Sequence, residues 1–136
     1  MSDTPSAIAP VKGGVVVYLS IDGAVQAVEF YKKAFGAELA AMQPADEKGR
    51  TMHAHLYING YSLMLSDFFP EHGHPKVAPQ GFSVMIPTQN IDADYQRAIA
   101  AGAVATMPPA DMFWGDRYGQ LQDPFGVTWA MNQGKR

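Results

Sequence analysis

Asp111-Met-Phe-Trp-Gly-Asp-Arg-Tyr-Gly-Gln-Leu-Gln-Asp-Pro-Phe-Gly-Val-Thr-Trp-Ala-Met-Asn132 is the stretch that decides the fold. It reads as a strand, a tight turn at Asp123-Pro124-Phe125-Gly126 and a second strand, because proline presets one turn dihedral and glycine accepts positive φ at the corner. A shorter echo, His53-Ala-His-Leu-Tyr-Ile-Asn-Gly-Tyr-Ser-Leu-Met-Leu-Ser66, lies near mid-chain. The chain therefore reads as duplicated, and duplication indicates where a ligand would sit.

Working outward from these hairpins, Val15 to Ile21 form a run rich in β-branched residues and too short for a typical helix, hence a strand. Asp22 then offers a helix N-cap. Ala24, Val28, Tyr31 and Phe35 recur at helical spacing, Ala27 and Phe30 widen the apolar stripe, and Gly36 supplies the stop. Strands are expected over 38–42, 52–58 and 61–67, the last two joined by Asn59-Gly60, the preferred two-residue hairpin turn. The second half repeats this order. A strand over 81–87 leads to Asn90 as cap, then Ile91, Tyr95, Ala98 and Ile99 as a stripe, and Gly102 as stop. Strands over 104–107, 118–122 and 127–131 complete it. Gly102 follows Gly36 by 66 positions, and Gly126 follows Gly60 by the same 66. The repeat lies in this punctuation rather than in residue identity.

The expected fold class is therefore α+β, two tandem β-α-β-β-β modules. Residues 1–12 read as a flexible N-terminal tail, 13–68 as the first module, 69–80 as a linker and 81–133 as the second module. At 136 residues the chain is long enough to bury roughly two thirds of the surface its unfolded form exposes, without staples. Its 17% charged and 47% apolar residues suit an ordinary globular domain rather than disorder. A net charge of −3 with no Lys/Arg run gives no footprint for nucleic acid or an anionic membrane. The absence of cysteine removes disulfides, thiolate ligands and a cysteine nucleophile together. With no secretory signal and no segment of membrane-spanning length, a cytoplasmic location is the expectation.

Two such modules, with the helix motif Val28-Glu-Phe-Tyr-Lys-Lys-Ala-Phe-Gly36 and the turn Asp123-Pro-Phe-Gly126, resemble the vicinal oxygen chelate superfamily. Glyoxalase I, extradiol dioxygenases, and fosfomycin and bleomycin resistance proteins belong to it. Tyr18-Leu-Ser20, Phe113-Trp114 and Phe125-Gly-Val-Thr-Trp129 look like its PhnB-like branch. The resemblance covers roughly residues 14 to 133. It implies a cup-shaped mixed sheet with helices on the outer face, and a homodimer.

Metal-using members of that superfamily take His, Glu or Gln ligands from the first and last strands of each module, donors suited to divalent ions. Counting from the helix and turn anchors, those positions fall on Val16 and Met64 in the first half, and on Gly81 or Phe82 and Ala130 in the second. None is a hard or borderline ligand, and one thioether makes no site. The expectation is a cup without the usual divalent metal and without another cofactor. Such an ion would polarise a carbonyl or stabilise an enediolate, so standard glyoxalase, epimerase, fosfomycin-transferase and dioxygenase chemistry loses ground to ligand binding.

His53, His55 and Tyr57 alternate on one strand and share a face, opposite Ala54, Leu56 and Ile58. The apolar set suits the helix side, which turns the histidines towards the cup as ligand contacts or as acid-base candidates; a partly solvated polar strand face is the plainer alternative. By the same alternation Tyr18 and Ser20 share a face with Val16, and Thr128 and Asn132 share one with Ala130. Their hydroxyls and amide can orient a polar ligand over a floor that includes Met64 and Phe82, or bond within the sheet. Trp114, with Phe113 and Tyr118, can stack on a planar ligand while Arg117 clamps its charged group. Packing by Trp114 and a surface pair between Asp116 and Arg117 are the alternative. Trp129 is sent to the helix side and reads as core. Residues 68–75, Phe-Phe-Pro-Glu-His-Gly-His-Pro, open a linker that is either a connector or a lid.

The favoured reading is a homodimer that binds a small, partly aromatic or amphiphilic molecule in a metal-free cup. One alternative is a glyoxalase- or dioxygenase-type enzyme, using a relocated metal around His53 and His55 or acid-base chemistry by those histidines. The other is a structural or regulatory dimer whose cup is vestigial.

Overall fold

The computed structural model describes residues 9–135, in two compact units that divide after Val77, within the expected linker. The first unit holds β1 (Val17–Ser20), α1 (Ala24–Phe35), β2 (Glu38–Met42), β3 (Ala54–Ile58) and β4 (Tyr61–Ser66). Its sheet has the order β1-β4-β3-β2, with β1 parallel to β4 and the other pairs antiparallel. The second unit holds β5 (Val84–Pro87), α2 (Ile91–Ala101), β6 (Val104–Asp111), β7 (Arg117–Gln122) and β8 (Thr128–Gln133). Its sheet runs β5-β8-β7-β6 with β5 parallel to β8, so the tandem β-α-β-β-β plan is the one read from the sequence. No helix among the described residues is long and apolar enough to cross a membrane.

Both hairpins form as expected. Asn59 and Gly60 take φ of 53° and 81°, the pair of positive values that matches the twist of the flanking strands. At the other turn the Asp123 carboxylate is the organising group, 4% exposed. Its Oδ1 accepts the Phe125 and Val127 amides at 2.9 Å each, and Oδ2 accepts Trp129 Nε1 at 2.9 Å. The turn and the largest core side chain, fully buried Trp129, are thus fastened by one residue.

Each helix lies on one face of its own sheet. Ala24, Ala27, Val28, Phe30, Tyr31 and Ala34 of α1 are buried, as are Leu19, Ala54, Leu56, Leu63 and Leu65 of its sheet. Ile91, Tyr95 and Ala98 of α2 are buried in the other unit, with Leu121, Trp129 and Met131. The opposite faces carry exposed Tyr18 and Ser20 in the first unit and exposed Met85 and Met107 in the second, beside buried His55, Ala41 and Ala130.

The start of α1 departs from the sequence reading. Asp22 is not the cap: Gly23 occupies that position with no capping side chain, and exposed Asp22 pairs with Lys76 Nζ at 3.0 Å. The first amides are bonded instead by Asp67, from just beyond β4, whose Oδ1 accepts Gly23 N at 2.9 Å and Ala24 N at 3.0 Å. Its Oδ2 accepts Thr51 N at 2.8 Å. A buried carboxylate at a helix N-terminus satisfies orphan donors and the helix dipole together. In the second unit Asn90 caps α2 as expected, and Gln133 Oε1 accepts Ile91 N at 2.8 Å. Gln133 follows Asp67 by 66 positions, so the repeat includes a side chain that ties the end of the last strand to the helix start.

Other boundaries also move. The β5 strand begins at Val84 rather than 81, and β6 runs past 107 to Asp111. The β6 strand continues through Pro108-Pro109 because it is an edge strand with register shifts at 105/107 and 107/110, where missing amide donors break no ladder. Gly119 makes this possible, since a Cβ there would lie 3.0 Å from Met107 O and 3.1 Å from Pro109 N. Of the expected tail over residues 1–12, residues 1–8 lie outside the described residues, and Pro10 and Lys12 are hydrogen-bonded to the first sheet. The linker opens with a short 3-10 turn at Pro70–His72. Phe69 there is buried beneath the Arg50 guanidinium, 4.4 Å from the ring centroid.

Candidate functional site

The open face of the first sheet follows from the register. Across its middle, Tyr18 of β1 stands beside Met64 of β4, Met64 beside His55 of β3, and His55 beside Ala41 of β2. Tyr57 stands beside Ser62 one step away. The Tyr18 hydroxyl lies 2.8 Å from His53 Nδ1 with the rings 5.7 Å apart, so the structure brings these two expected site residues together. Tyr18 is half exposed and His53 is partly buried. Burial holds the Tyr18 phenol above its ordinary pKa, against the opposing effect of a Ser66 hydrogen bond. The phenol therefore acts as a neutral hydrogen-bonding group at neutral pH.

His55 differs from its reading as an accessible group. It shares the expected face but is 1% exposed, with Nε2 2.7 Å from Ser62 Oγ and its ring edge-on to Tyr57 at 5.0 Å. Ser62 Oγ also accepts the Lys12 amide at 2.8 Å. The simplest proton assignment has Ser62 donating to His55 Nε2, which leaves the imidazole neutral with its proton on Nδ1. Desolvation, then the neighbouring His53, lowers the His55 pKa, in agreement with that form. A buried neutral histidine already bonded to a hydroxyl is poorly placed as a proton shuttle.

In the second unit the corresponding row is Met85, Ala130, Gln120 and Met107. Tyr118 stands beside Asn132 and Gln122 beside Thr128 on the same face. Asn132 Nδ2 donates to Asp116 Oδ2 at 3.0 Å, and Gln120 Nε2 donates to the Tyr118 hydroxyl at 3.0 Å. Trp114, half exposed, meets Tyr118 edge-on at 5.9 Å, and Phe113 is 97% exposed beside it at 5.0 Å. Ser20 on β1 is exposed and Thr128 on β8 partly buried, each on the open face expected for it.

Arg117 does not serve as the expected clamp. One position before Tyr118, it takes the opposite face, where Nη2 and Nε donate to Asp92 Oδ1 at 2.9 and 3.2 Å and Nη1 to Asp111 Oδ1 at 3.3 Å. These carboxylates hold its pKa above the ordinary value, and Asp116 is not its partner. Phe82 and Gly81 precede β5, and the β1 residue paired with Met64 is Tyr18, two beyond Val16. The second-unit counterpart of Tyr18 is Met85, beside Ala130. The paired first- and last-strand positions therefore offer one phenol, two thioethers and a methyl group. These residues do not fit the divalent ion of the superfamily's metal-using members, and among the described residues no three His, Asp or Glu side chains cluster to hold a metal.

Ser62, Gln120 and Lys12 are site residues that the sequence reading passed over, whereas Tyr118 was among the aromatics it named. The hairpin turns fix 57 opposite 62 and 120 opposite 130, so Ser62 and Gln120 were within reach of register counting. Lys12 had no periodic signal.

Two units of the same β-α-β-β-β order, each with parallel first and last strands, define a class of tandem-module proteins. The chain belongs to the Glyoxalase/Bleomycin resistance protein/Dioxygenase superfamily, which it matches over residues 16–131. It is 37% identical over 122 residues to an uncharacterized protein of Mycobacterium bovis, covering 85% of this chain and 80% of that one. Among solved structures it is similar to TnmS3, described as an antibiotic binding protein from Streptomyces sp. CB03234, at 27% identity and a TM-score of 0.68, covering 95% of this chain and 98% of that one. A PhnB protein from Bacillus cereus has the same fold at 22% identity and a TM-score of 0.69, covering 90% of this chain and all of that one (100%).

Proposed function

We propose that this protein binds a small, partly aromatic or amphiphilic molecule on the open faces of its sheets, as a homodimer and without the divalent metal used by catalytic relatives. The observation that carries the reading is the residue set at the paired strand positions: Tyr18 with Met64, and Met85 with Ala130. Around them stand hydrogen-bonding and aromatic groups suited to orienting a ligand, namely the Tyr18–His53 pair, Gln120, Asn132 and Trp114. Similarity to an antibiotic binding protein supports the same direction.

A thermal-shift screen of small aromatic and amphiphilic compounds, followed by calorimetry on the best stabiliser with and without EDTA, tests this. Saturable binding indifferent to EDTA, and weakened about tenfold by Tyr18→Phe with His53→Ala, is the expected result. Binding that appears only after zinc, nickel, iron or manganese is added would contradict it.

The 2.8 Å contact between Tyr18 and His53 favours a second reading, acid-base catalysis by that pair. The raised phenol pKa keeps Tyr18 protonated and makes it a weaker acid, so this reading requires His53 to be the group that accepts the proton. Turnover of a bound compound that is lost in His53→Ala while its affinity persists would establish it.

A further inference from the structure

His55 stands on an open sheet face, yet it is almost completely covered. Two of the residues against it, Ser62 and Tyr57, are both held by the segment that precedes β1. Lys12 N donates to Ser62 Oγ and Ser62 N donates to Lys12 O, each at 2.8 Å. The Tyr57 hydroxyl donates to Pro10 O at 2.6 Å, and the Lys12 ammonium sits 4.4 Å above the Tyr57 ring. Pro10, Val11 and Lys12 are themselves exposed, so no buried apolar side chain from these three residues anchors the segment. It is followed by Gly13 (φ 126°) and Gly14, around whose Cβ position there is open space, a pair able to hinge.

We propose that residues 10–12 form a displaceable strap, a built-in occupant of the first sheet's open face that closes off the His55–Ser62 end. Ligands reach the Tyr18–His53 end directly and reach His55 only when the strap lifts. The strap so divides the face into an open aromatic half and a gated polar half, and Lys12 and Pro10 become determinants of ligand size and polarity. This rests on the ligand-binding reading above, but its test needs no ligand.

The probe is diethyl pyrocarbonate, which acylates accessible neutral imidazoles, read residue by residue by peptide mass spectrometry. In the full chain His55 should react far more slowly than exposed His72 and His74. Removing residues 2–12 should accelerate His55 about tenfold or more and leave His72 and His74 unchanged. Reaction of His55 as fast as His72 in the full chain, or continued protection in a folded shortened chain, would overturn the strap. Should the shortened chain fail to fold, Tyr57→Phe in the full chain replaces it, read by hydrogen exchange of the Ser62 amide. Exchange several-fold faster than in the parent supports the strap, and unchanged exchange overturns it. Failure of the ligand screen with a positive footprint would instead count against the binding reading alone.

Discussion

Replacing Asp67 by alanine removes the acceptor for three backbone donors, Gly23, Ala24 and Thr51. The carboxylate is 5% exposed, and two of the three bonds are to buried amides. Loss of a helix cap costs about 0.5–2 kcal/mol, and each buried donor left without a partner about 1–3 kcal/mol. Water entering the vacated space recovers part of that, leaving a net cost of about 3–4 kcal/mol. Gln133 provides the internal comparison: it occupies the same place in the repeat but supplies one neutral bond, to Ile91 N, so Gln133→Ala should cost about 1 kcal/mol. Urea unfolding followed by far-ultraviolet circular dichroism, with hydrogen exchange of the α1 amides, reads both. At a slope of about 1.5 kcal/mol/M the Asp67→Ala midpoint falls by about 2 M. A cost for Asp67→Ala no larger than that for Gln133→Ala would refute the assignment of Asp67 as the fastening of the first module.

Three further outcomes follow. Asp123→Asn keeps an acceptor for the turn amides but sets an amide donor against Trp129 Nε1; a loss of about 2–3 kcal/mol and a red-shifted tryptophan emission are expected, and an unchanged spectrum counts against the geometry. Arg50 bonds Glu71 at 3.0 and 2.5 Å and lowers its pKa from an ordinary 4.5 to about 2. The folded value is the depressed one, so this contribution is complete above pH 4.5 and fades as pH falls towards 2; the acid limb should flatten in Glu71→Gln, by circular dichroism against pH. The lowered pKa of His55 has the same sign: its contribution is complete above the ordinary 6.5 and declines below it, which an NMR titration of the ring proton checks by a midpoint under 6.5.

The modules were legible because their punctuation is local chemistry. Asn59-Gly60 and Asp123-Pro-Phe-Gly126 specify turns whatever surrounds them, and the apolar stripes of α1 and α2 need only their own spacing. What the sequence concealed depends on partners distant in the chain. Asp22 looked like a cap because it precedes the helix, whereas Asp67, 43 positions after Ala24, does the capping. Arg117 looked like a ligand clamp beside three aromatics, but alternation with buried Leu121 puts it on the other face, within reach of Asp92. His53 and Tyr18 were placed on open faces by alternation, and their contact needed the parallel β1–β4 pairing. The bonds of Pro10 and Lys12 to Tyr57 and Ser62, the residues against His55, left no pattern in the sequence to read.

The central claim, a ligand face without the superfamily's divalent ion, is tested most directly by a native mass spectrum of protein purified without chelator or histidine tag. The expected result is a dimer carrying a small organic adduct that leaves on gentle activation, with no stoichiometric metal. A retained zinc, nickel, iron or manganese ion per protomer would contradict the account.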